Sequence, residues 1–529
     1  MKQITIIAAL FIAGSLEWEN CPQTLSAEVP NYESLKDQSN NRVGAVNAAS
    51  GIAPNSAVFV QDPDPGMQDP DGKWLGQKPN ILWIMLEDWC PDLSCYGTPL
   101  VQTPNIDRLA SEGIRYECAF TTAPVCSASR SAMMTGFHQN YIGAHQHRTS
   151  NKKPLPDGIK PIPHLLEAAG YHTALMAGKK TDCNFTVDKP LFKGKHWNER
   201  KKGQPFFVQA TFKETHRSFK RDPQRPIDAD QVKLPPYYPD HPLARRDWAN
   251  GLETVQIVDR QVGEFLKQLE ADGLKDNTIV FLIGDHGRCH IRGKQFLYEG
   301  GVHIPLIVRW PDHIKPGTVS AELVSTLDIC RTIVNVAGAK PTEELHGEYL
   351  FGPDISKRKY IHFNRDKMDN THDAMRAVRT RKYKLIQNLM PERAYCQLNA
   401  YKERQYPMLA LMNVMNIKGE LSEVQSKFMA AKKPEFELFD LEHDPHEINN
   451  VADDPRYADV KRELLDEINR WRKEIKDEGV TEEFRKGGGS AKYPTRTLEE
   501  WQAALKAWEQ ALLVEGKASR GGKSKKKRK

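Results

Sequence analysis

Continuous apolar runs alternate with amphipathic stretches along most of this chain. Residues 79–86, PNILWIML, form one such run between polar neighbours, the pattern of a strand buried on both faces. It ends directly in Glu87 and Asp88. In TPNIDRLASEG, residues 103–113, Thr103 can cap a helix, Pro104 suits its first position and Gly113 closes it. Residues 247–272 predict a long amphipathic helix with Leu252, Val255, Val262, Phe265, Leu266 and Leu269 on one side, stopped by Gly273. NTIVFLI, residues 277–283, is a second fully buried strand and leads into Gly284, Asp285, His286 and Gly287. Strands alternating with helices predict an α/β fold with a large, mostly parallel sheet flanked by helices. Ligands of such sheets bind outside the carboxyl ends of the strands, where both acidic clusters fall.

The texture changes after about residue 355. MRAVRTRKYKLIQN and EFELFDLEHD read as antiparallel strands, followed by a helix over 460–478 with Leu464, Ile468, Trp471 and Ile475 aligned. GGGS at 487–490 reads as a linker. Leu498, Trp501, Leu505, Trp508 and Leu512 then mark a helix with Thr497 and Glu500 as a capping box, its apolar stripe expected to dock on the protein itself. The expected organisation is a main α/β domain over 78–355, a smaller α+β subdomain with an antiparallel sheet over 356–483, a linker and helix over 484–515, and a basic tail over 516–529.

With 529 residues and 39% apolar content, the chain can bury a full core. Its formal charge of +6 is misleading, because the last fourteen residues hold eight Lys or Arg and no acid. Without them the balance is about −2, so no basic groove for nucleic acid is implied. The start, MKQITIIAALFIAGSL, places Lys2 before an apolar run too short for a membrane span. It predicts a secretory signal within residues 1–27, with cleavage after Ser15 or Ala27, and hence a secreted or periplasmic protein with no transmembrane segment. Residues 28–77 read as a mobile lead-in. None of the nine cysteines shows paired zinc-binding spacing, and one or two disulfides are compatible with export.

Glu87, Asp88 and Asp285 at neighbouring strand ends would crowd three carboxylates into one crevice, where repulsion calls for a cation. Oxygen ligands favour Ca²⁺ or Mg²⁺ over zinc. Arg130 follows Cys126 by one helical turn in CSASR, so a tetrahedral anion at that helix start would meet backbone N–H groups and a guanidinium. Lys179 or Lys180, His216 and Lys294 could hold or protonate the same anion. Each residue alone has an ordinary packing explanation, and only the set together points to anion chemistry.

CSASR followed by SAMMTG resembles the activating motif of the type I sulfatases of the alkaline phosphatase superfamily. PNILWIMLEDWCPDLSCYG, PFFVQATFKETH, NTIVFLIGDHG, KQFLYEGGVHIPLIVRWP and ELFDLEHDPHEINNVADDP fall in that family's order, so the likeness spans roughly residues 78–480. The resemblance implies that a maturase oxidises Cys126 to formylglycine, whose hydrate attacks sulfur beside a metal. The alcohol or amine departs, and the second hydroxyl then expels sulfate. The implied metal ligands are Glu87, Asp88, Asp285, His286 and residue 126. Arg130, one of Lys179 and Lys180, His216 and Lys294 would stabilise hydrate and sulfate, with His216 or Lys294 protonating the leaving oxygen.

Several positions depart from the family pattern. Glu87 stands where Asp is more frequent, and His286 where Asn is frequent. GKKTDCNF replaces the usual Gly-Lys-any-His, leaving Asp182 or a histidine of IGAHQHR as the base that collapses the sulfated hydrate. Ala128 in place of Pro favours a radical-type maturase over the oxygen-dependent one.

The branch resembled includes heparan N-sulfatases (sulfamidases) and bacterial polysaccharide sulfatases, which implies a sulfated carbohydrate substrate. His145, His147, Asp182, Arg365, Asp369 and Arg376 are the expected sugar-binding residues. Two other readings stay open at this level: a phosphoester or phosphonate hydrolase of the same superfamily, and a sugar-binding homologue without catalysis.

Overall fold

The computed structural model describes residues 76–351, 358–397, 399–487 and 496–514. The expected secretory signal, nearly all of the lead-in, most of the 487–490 linker and the basic tail lie outside the described residues.

Along the first part of the chain come β1 (Asn80–Leu86), β2 (Ile114–Phe120), β3 (Lys153–Pro154), β4 (His172–Met176), β5 (Phe185–Thr186), β6 (Phe206–Phe212), β7 (Thr278–Gly284), β8 (Leu306–Arg309) and β9 (Thr318–Ser325). Apart from the small β3–β5 ribbon they build one sheet in the order β4-β6-β1-β7-β8-β2-β9. Only the pairs made by β8 are antiparallel. The period-two alternation of β1 splits its apolar run between two cores. Leu82, Ile84 and Leu86 pack on one face, and Ile81, Trp83 and Met85 on the other. Trp83 lies opposite Gln209 of β6 and Phe281 of β7. A one-residue slip in this register would displace the acids after β1 by about 3.3 Å relative to those after β7.

The helix expected over 247–272 runs from Pro242 to Ala271. Its start is five residues earlier because His241 serves as N-cap, its side chain accepting from the Leu243 N–H, a cap without the usual Ser, Thr, Asp or Asn signature. The helix Pro104–Ser111 begins where expected, but Thr103 does not cap it. The Thr103 hydroxyl instead donates to Asp107 at 3.1 Å and accepts from the Ser94 N–H at 3.0 Å.

The second sheet is antiparallel throughout: β10 (Ile361–Arg365), β11 (Met375–Arg379), β12 (Tyr383–Asn388) and β13 (Phe436–Asp440), in that order. The helix Ala458–Glu474 covers it through Leu464 and Ile468, which pack against Val378, Leu385 and Leu438. It ends before residue 478, and Lys476 beyond it is left-handed at φ 54°. In the helix Leu498–Glu509 both bonds of the Thr497/Glu500 capping box are present, and Trp501 is buried in a hydrophobic cluster shared by residues of both sheets. The cysteines of the described residues are free thiols. No helix among the described residues is long and apolar enough to cross a membrane.

Candidate active site

Four adjacent parallel strands deliver the polar residues. β1 runs into Glu87 and Asp88, β7 into Asp285 and His286, β6 into the turn bearing His216, and β4 into the Lys179–Lys180 turn. The last turn depends on Gly178, at φ +46°, where a Cβ would fall 2.2 Å from the Thr211 carbonyl oxygen. β2 points the same way and leads through residues 121–125 into the helix Cys126–Thr135, all of whose residues are buried. Val125, its N-cap, gives no side-chain capping bond, so the positive end of the helix faces the crevice without a side-chain oxygen of its own.

The Cys126 sulfur is the centre of the cluster. Its neighbours are His286 Nε2 at 3.2 Å, Lys294 Nζ at 3.4 Å, Asp88 Oδ1 at 3.5 Å and Glu87 Oε1 at 4.0 Å. Each surrounding carboxylate also holds a cation. Lys294 bonds Asp88 at 2.7 Å, Arg130 Nε bonds Asp285 at 2.8 Å, and Lys180 pairs with Glu87. His216 Nε2 is 3.4 Å from Lys294 Nζ and 3.7 Å from Asp88. Lys179, by contrast, is exposed, so Lys180 is the lysine that enters the cluster.

Burial and charge act against each other here. Burial pushes the Asp88 carboxyl up, yet Lys294, His286 and His216 together hold it well below the ordinary range. Burial likewise disfavours the Lys294 ammonium, but Asp88 and Cys126 keep it charged. For the Cys126 thiol, burial and the surrounding carboxylates outweigh Lys294 and push it far up. As cysteine, the group is a protonated and poor nucleophile. Donor atoms of Asp88, Cys126, Asp285 and His286 lie within 4.8 Å of one another, as do those of Glu87, Asp88 and His216. Buried carboxylates converging with an imidazole fit a divalent cation.

The expected sugar-binding residues divide. His147 and Asp369 flank the crevice, His147 Nε2 standing 3.4 Å from Asp369. Asp182 lies at the rim, bound in bidentate fashion by Arg148 at 3.1 and 2.7 Å and within 3.4 Å of Lys180. Burial opposes its charge, but these cations hold the carboxyl far below its usual range, which makes Asp182 a weak base. His145 Nδ1 bonds Asp366 at 2.7 Å and is partly open to solvent. Arg365 and Arg376 do not fit the expectation. Both are fully buried, Arg365 paired with Asp373 at 3.2 Å and Arg376 with Asp366 and Asp477 at 3.0 and 2.7 Å. Their guanidinium groups hold the second sheet together and present no free face to a saccharide.

One contact escaped sequence reasoning. The Tyr401 hydroxyl lies 3.3 Å from His216 Nε2, and its ring lies 5.4 Å from Lys294 Nζ. Nothing local in the sequence marks this tyrosine, which reaches the crevice from 185 residues away.

The sulfatase family profile matches residues 79–197 and 179–339, and the C-terminal profile of N-sulphoglucosamine sulphohydrolase matches residues 284–427. An ulvan-active sulfatase of Formosa agariphila is 32% identical over 457 residues, covering 76% of each chain. Human N-sulphoglucosamine sulphohydrolase is 25% identical over 481 residues, covering 76% of this chain and 93% of its own. Among solved structures, a protein in complex with its substrate D-glucosamine-2-N,6-O-disulfate superposes with a TM-score of 0.56 at 21% identity, covering 76% of this chain and 99% of the other. That likeness concerns the fold.

Proposed function

The chain belongs to the sulfatase family, and from that premise we propose that it is an exported enzyme that hydrolyses sulfate esters or N-sulfate groups of a sulfated carbohydrate, a polysaccharide or its oligosaccharides, using residue 126. The observation that carries the reading is the placement of the Cys126 sulfur at a helix start, 3.2 to 3.5 Å from His286, Lys294 and Asp88. A raised, protonated thiol in that position is a poor nucleophile as plain cysteine. Oxidised by a maturase, residue 126 supplies a hydroxyl nucleophile as the aldehyde hydrate. Ala128 favours the radical type of maturase. Glu87, Asp88, Asp285 and His286 would hold a divalent cation, Ca²⁺ or Mg²⁺, which would supply positive charge to a bound sulfate.

The remaining residues have roles that follow from their neighbours. Lys294 touches both Asp88 and residue 126, so its ammonium lies where charge develops on a transferring sulfuryl group. Lys180, on Glu87, brings a second ammonium to the same cluster. Arg130 fixes the Asp285 carboxylate through one oxygen. His216 stands beside Lys294, from which a proton can pass to the leaving oxygen.

Mass spectrometry of the peptide containing residue 126, from protein made with a maturase, tests this alongside sulfate release from ulvan, glycosaminoglycans and N-sulfated glucosamine. An aldehyde at 126 with sulfate release that stops on chelation of divalent cations is expected. Intact thiol under either maturase and no released sulfate would sink the reading in favour of a sugar-binding role. Sequencing the N-terminus of protein recovered outside the cytoplasm tests export.

A further inference from the structure

One carboxylate of the second sheet's turn reaches the crevice. Asp369 sits between β10 and β11 in the left-handed region at φ 52°, an uncommon conformation for a residue other than glycine. The turn is tied on both sides: Met368 and Thr371 exchange backbone bonds of 3.0 and 2.9 Å, and the Arg365 guanidinium donates to the Thr371 hydroxyl at 3.2 Å. Met368 is buried against Ala123, Val125 and Ala128, beneath the start of the helix that carries residue 126.

From this turn the Asp369 carboxylate meets three other segments. Its Oδ1 is 3.4 Å from His147 Nε2, while Oδ2 accepts from Gln295 Nε2 at 2.8 Å and from Asn399 Nδ2 at 3.1 Å. Each contact leads to a residue of the cluster. His147 Nδ1 is 2.9 Å from the hydroxyl of Ser127, next to residue 126, and that hydroxyl accepts from the Arg148 N–H at 3.1 Å. Gln295 follows Lys294 and is itself left-handed at φ 78°, its N–H bonded to the Pro124 carbonyl at 2.7 Å. Asn399 caps the helix that presents Tyr401 to His216, accepting from the Tyr401 and Lys402 N–H groups.

We propose that Asp369 is a positioning residue that clamps the loop of residue 126, the segment of Lys294 and the helix of Tyr401 into one geometry, acting on the nucleophile through the His147–Ser127 relay. The negative carboxylate, 3.4 Å from His147 Nε2, favours the proton on that nitrogen, which leaves Nδ1 to accept from the Ser127 hydroxyl and biases the imidazole to one tautomer. It reverses the expected role of Asp369: the side chain is spent on the protein and not on the sugar. The inference rests on residue 126 being the reacting group, as proposed above.

The test compares steady-state rates per converted site, with conversion at residue 126 measured for each protein. A misplacement of about 1 Å at a reacting group costs on the order of 10²-fold in rate. Asp369→Ala is therefore expected to lower kcat by about that factor with KM kept within about threefold, and the milder Asp369→Asn to fall between it and wild type. Ser127→Ala combined with Asp369→Ala should lose little beyond the larger single loss, because both break one relay. A raised KM with kcat retained would show that Asp369 binds the sugar, and multiplicative losses would show that the relay does not exist; either overturns the clamp. Wild-type protein that releases no sulfate would defeat the proposed function instead. The clamp would then be decided by the nitrogen resonances of ¹⁵N-labelled histidine: the Nε2-protonated tautomer of His147, lost in Asp369→Ala, supports it, and an unchanged His147 signal refutes it.

Discussion

The crevice and the antiparallel second sheet both bury charged side chains at almost zero exposure, yet they arrange them oppositely. In the second sheet, cations separate acids: Arg376 lies between Asp366 and Asp477, and Lys384 between Glu299 and Glu447. At the crevice acids adjoin one another and a thiol, with Asp88 donating its backbone N–H to the Asp285 carboxylate at 2.9 Å and its own carboxylate facing Cys126 and His286. Interleaved charges close on themselves and act as scaffold. At the crevice, paired charges of both signs converge on one sulfur atom, where a cation and an anionic substrate can enter. Burial of charge therefore does not mark the site; the convergence of several ion pairs on one atom, the Cys126 sulfur, does.

Four perturbations bear on that contrast. Cys126→Ala removes the group on which the crevice converges, and sulfate release should fall by about 10⁴-fold or more with the melting temperature nearly unchanged. Arg376→Ala should do the reverse. It removes the cation shared by two buried carboxylates, each of which keeps another partner, His145 or Arg472, and should cost about 3 kcal/mol in urea unfolding while the folded protein keeps its kcat within about threefold. A large loss of kcat there would mean that the scaffold and the site are not separable.

Lysine substitutions sharpen the boundary of the cluster. Lys180→Ala should reduce kcat on the order of 10²-fold, and Lys179→Ala by no more than about twofold. Equal effects would place the exposed lysine in the machinery after all.

The smallest effect is the pH dependence of the scaffold. Burial raises the Asp366 and Asp477 carboxyls, but Arg376, with His145 at Asp366 and Arg472 at Asp477, holds both below their usual range. Their contribution to stability is present above an unfolded value of about 3.9 and is lost as pH falls below it. Wild type should thus lose stability between about pH 4 and 2, and its advantage over Arg376→Ala should shrink over that interval. A constant gap down to pH 3 would detach the acid sensitivity from this pair.

Local pattern was enough for the elements that carry the chemistry. The run from Asn80 to Leu86 had to be a doubly buried strand because both of its faces are apolar, and whatever follows it had to emerge at the carboxyl end of the sheet. The same holds for Asp285 and His286 after β7. The start of the long helix was misplaced because its cap is His241, a residue whose capping bond depends on local geometry and not on type. Arg365 and Arg376 differ from expectation because a charged strand residue gives no sign of which layer its side chain enters. Both turn into a core with carboxylates waiting, Asp477 lying 101 residues beyond Arg376.

By itself, then, the sequence determined the parallel sheet, the acids at the carboxyl ends of its strands, the helix that starts at Cys126 and the family to which these motifs belong, since each follows from neighbours within a few residues. Tertiary structure alone decided that Lys180 enters while Lys179 stays outside, that Tyr401 reaches His216, and that Asp369 joins His147, Gln295 and Asn399. Those outcomes depend on distances of a few ångströms between segments tens to hundreds of residues apart, and such distances are set by the packing of whole layers rather than by any pattern along the chain.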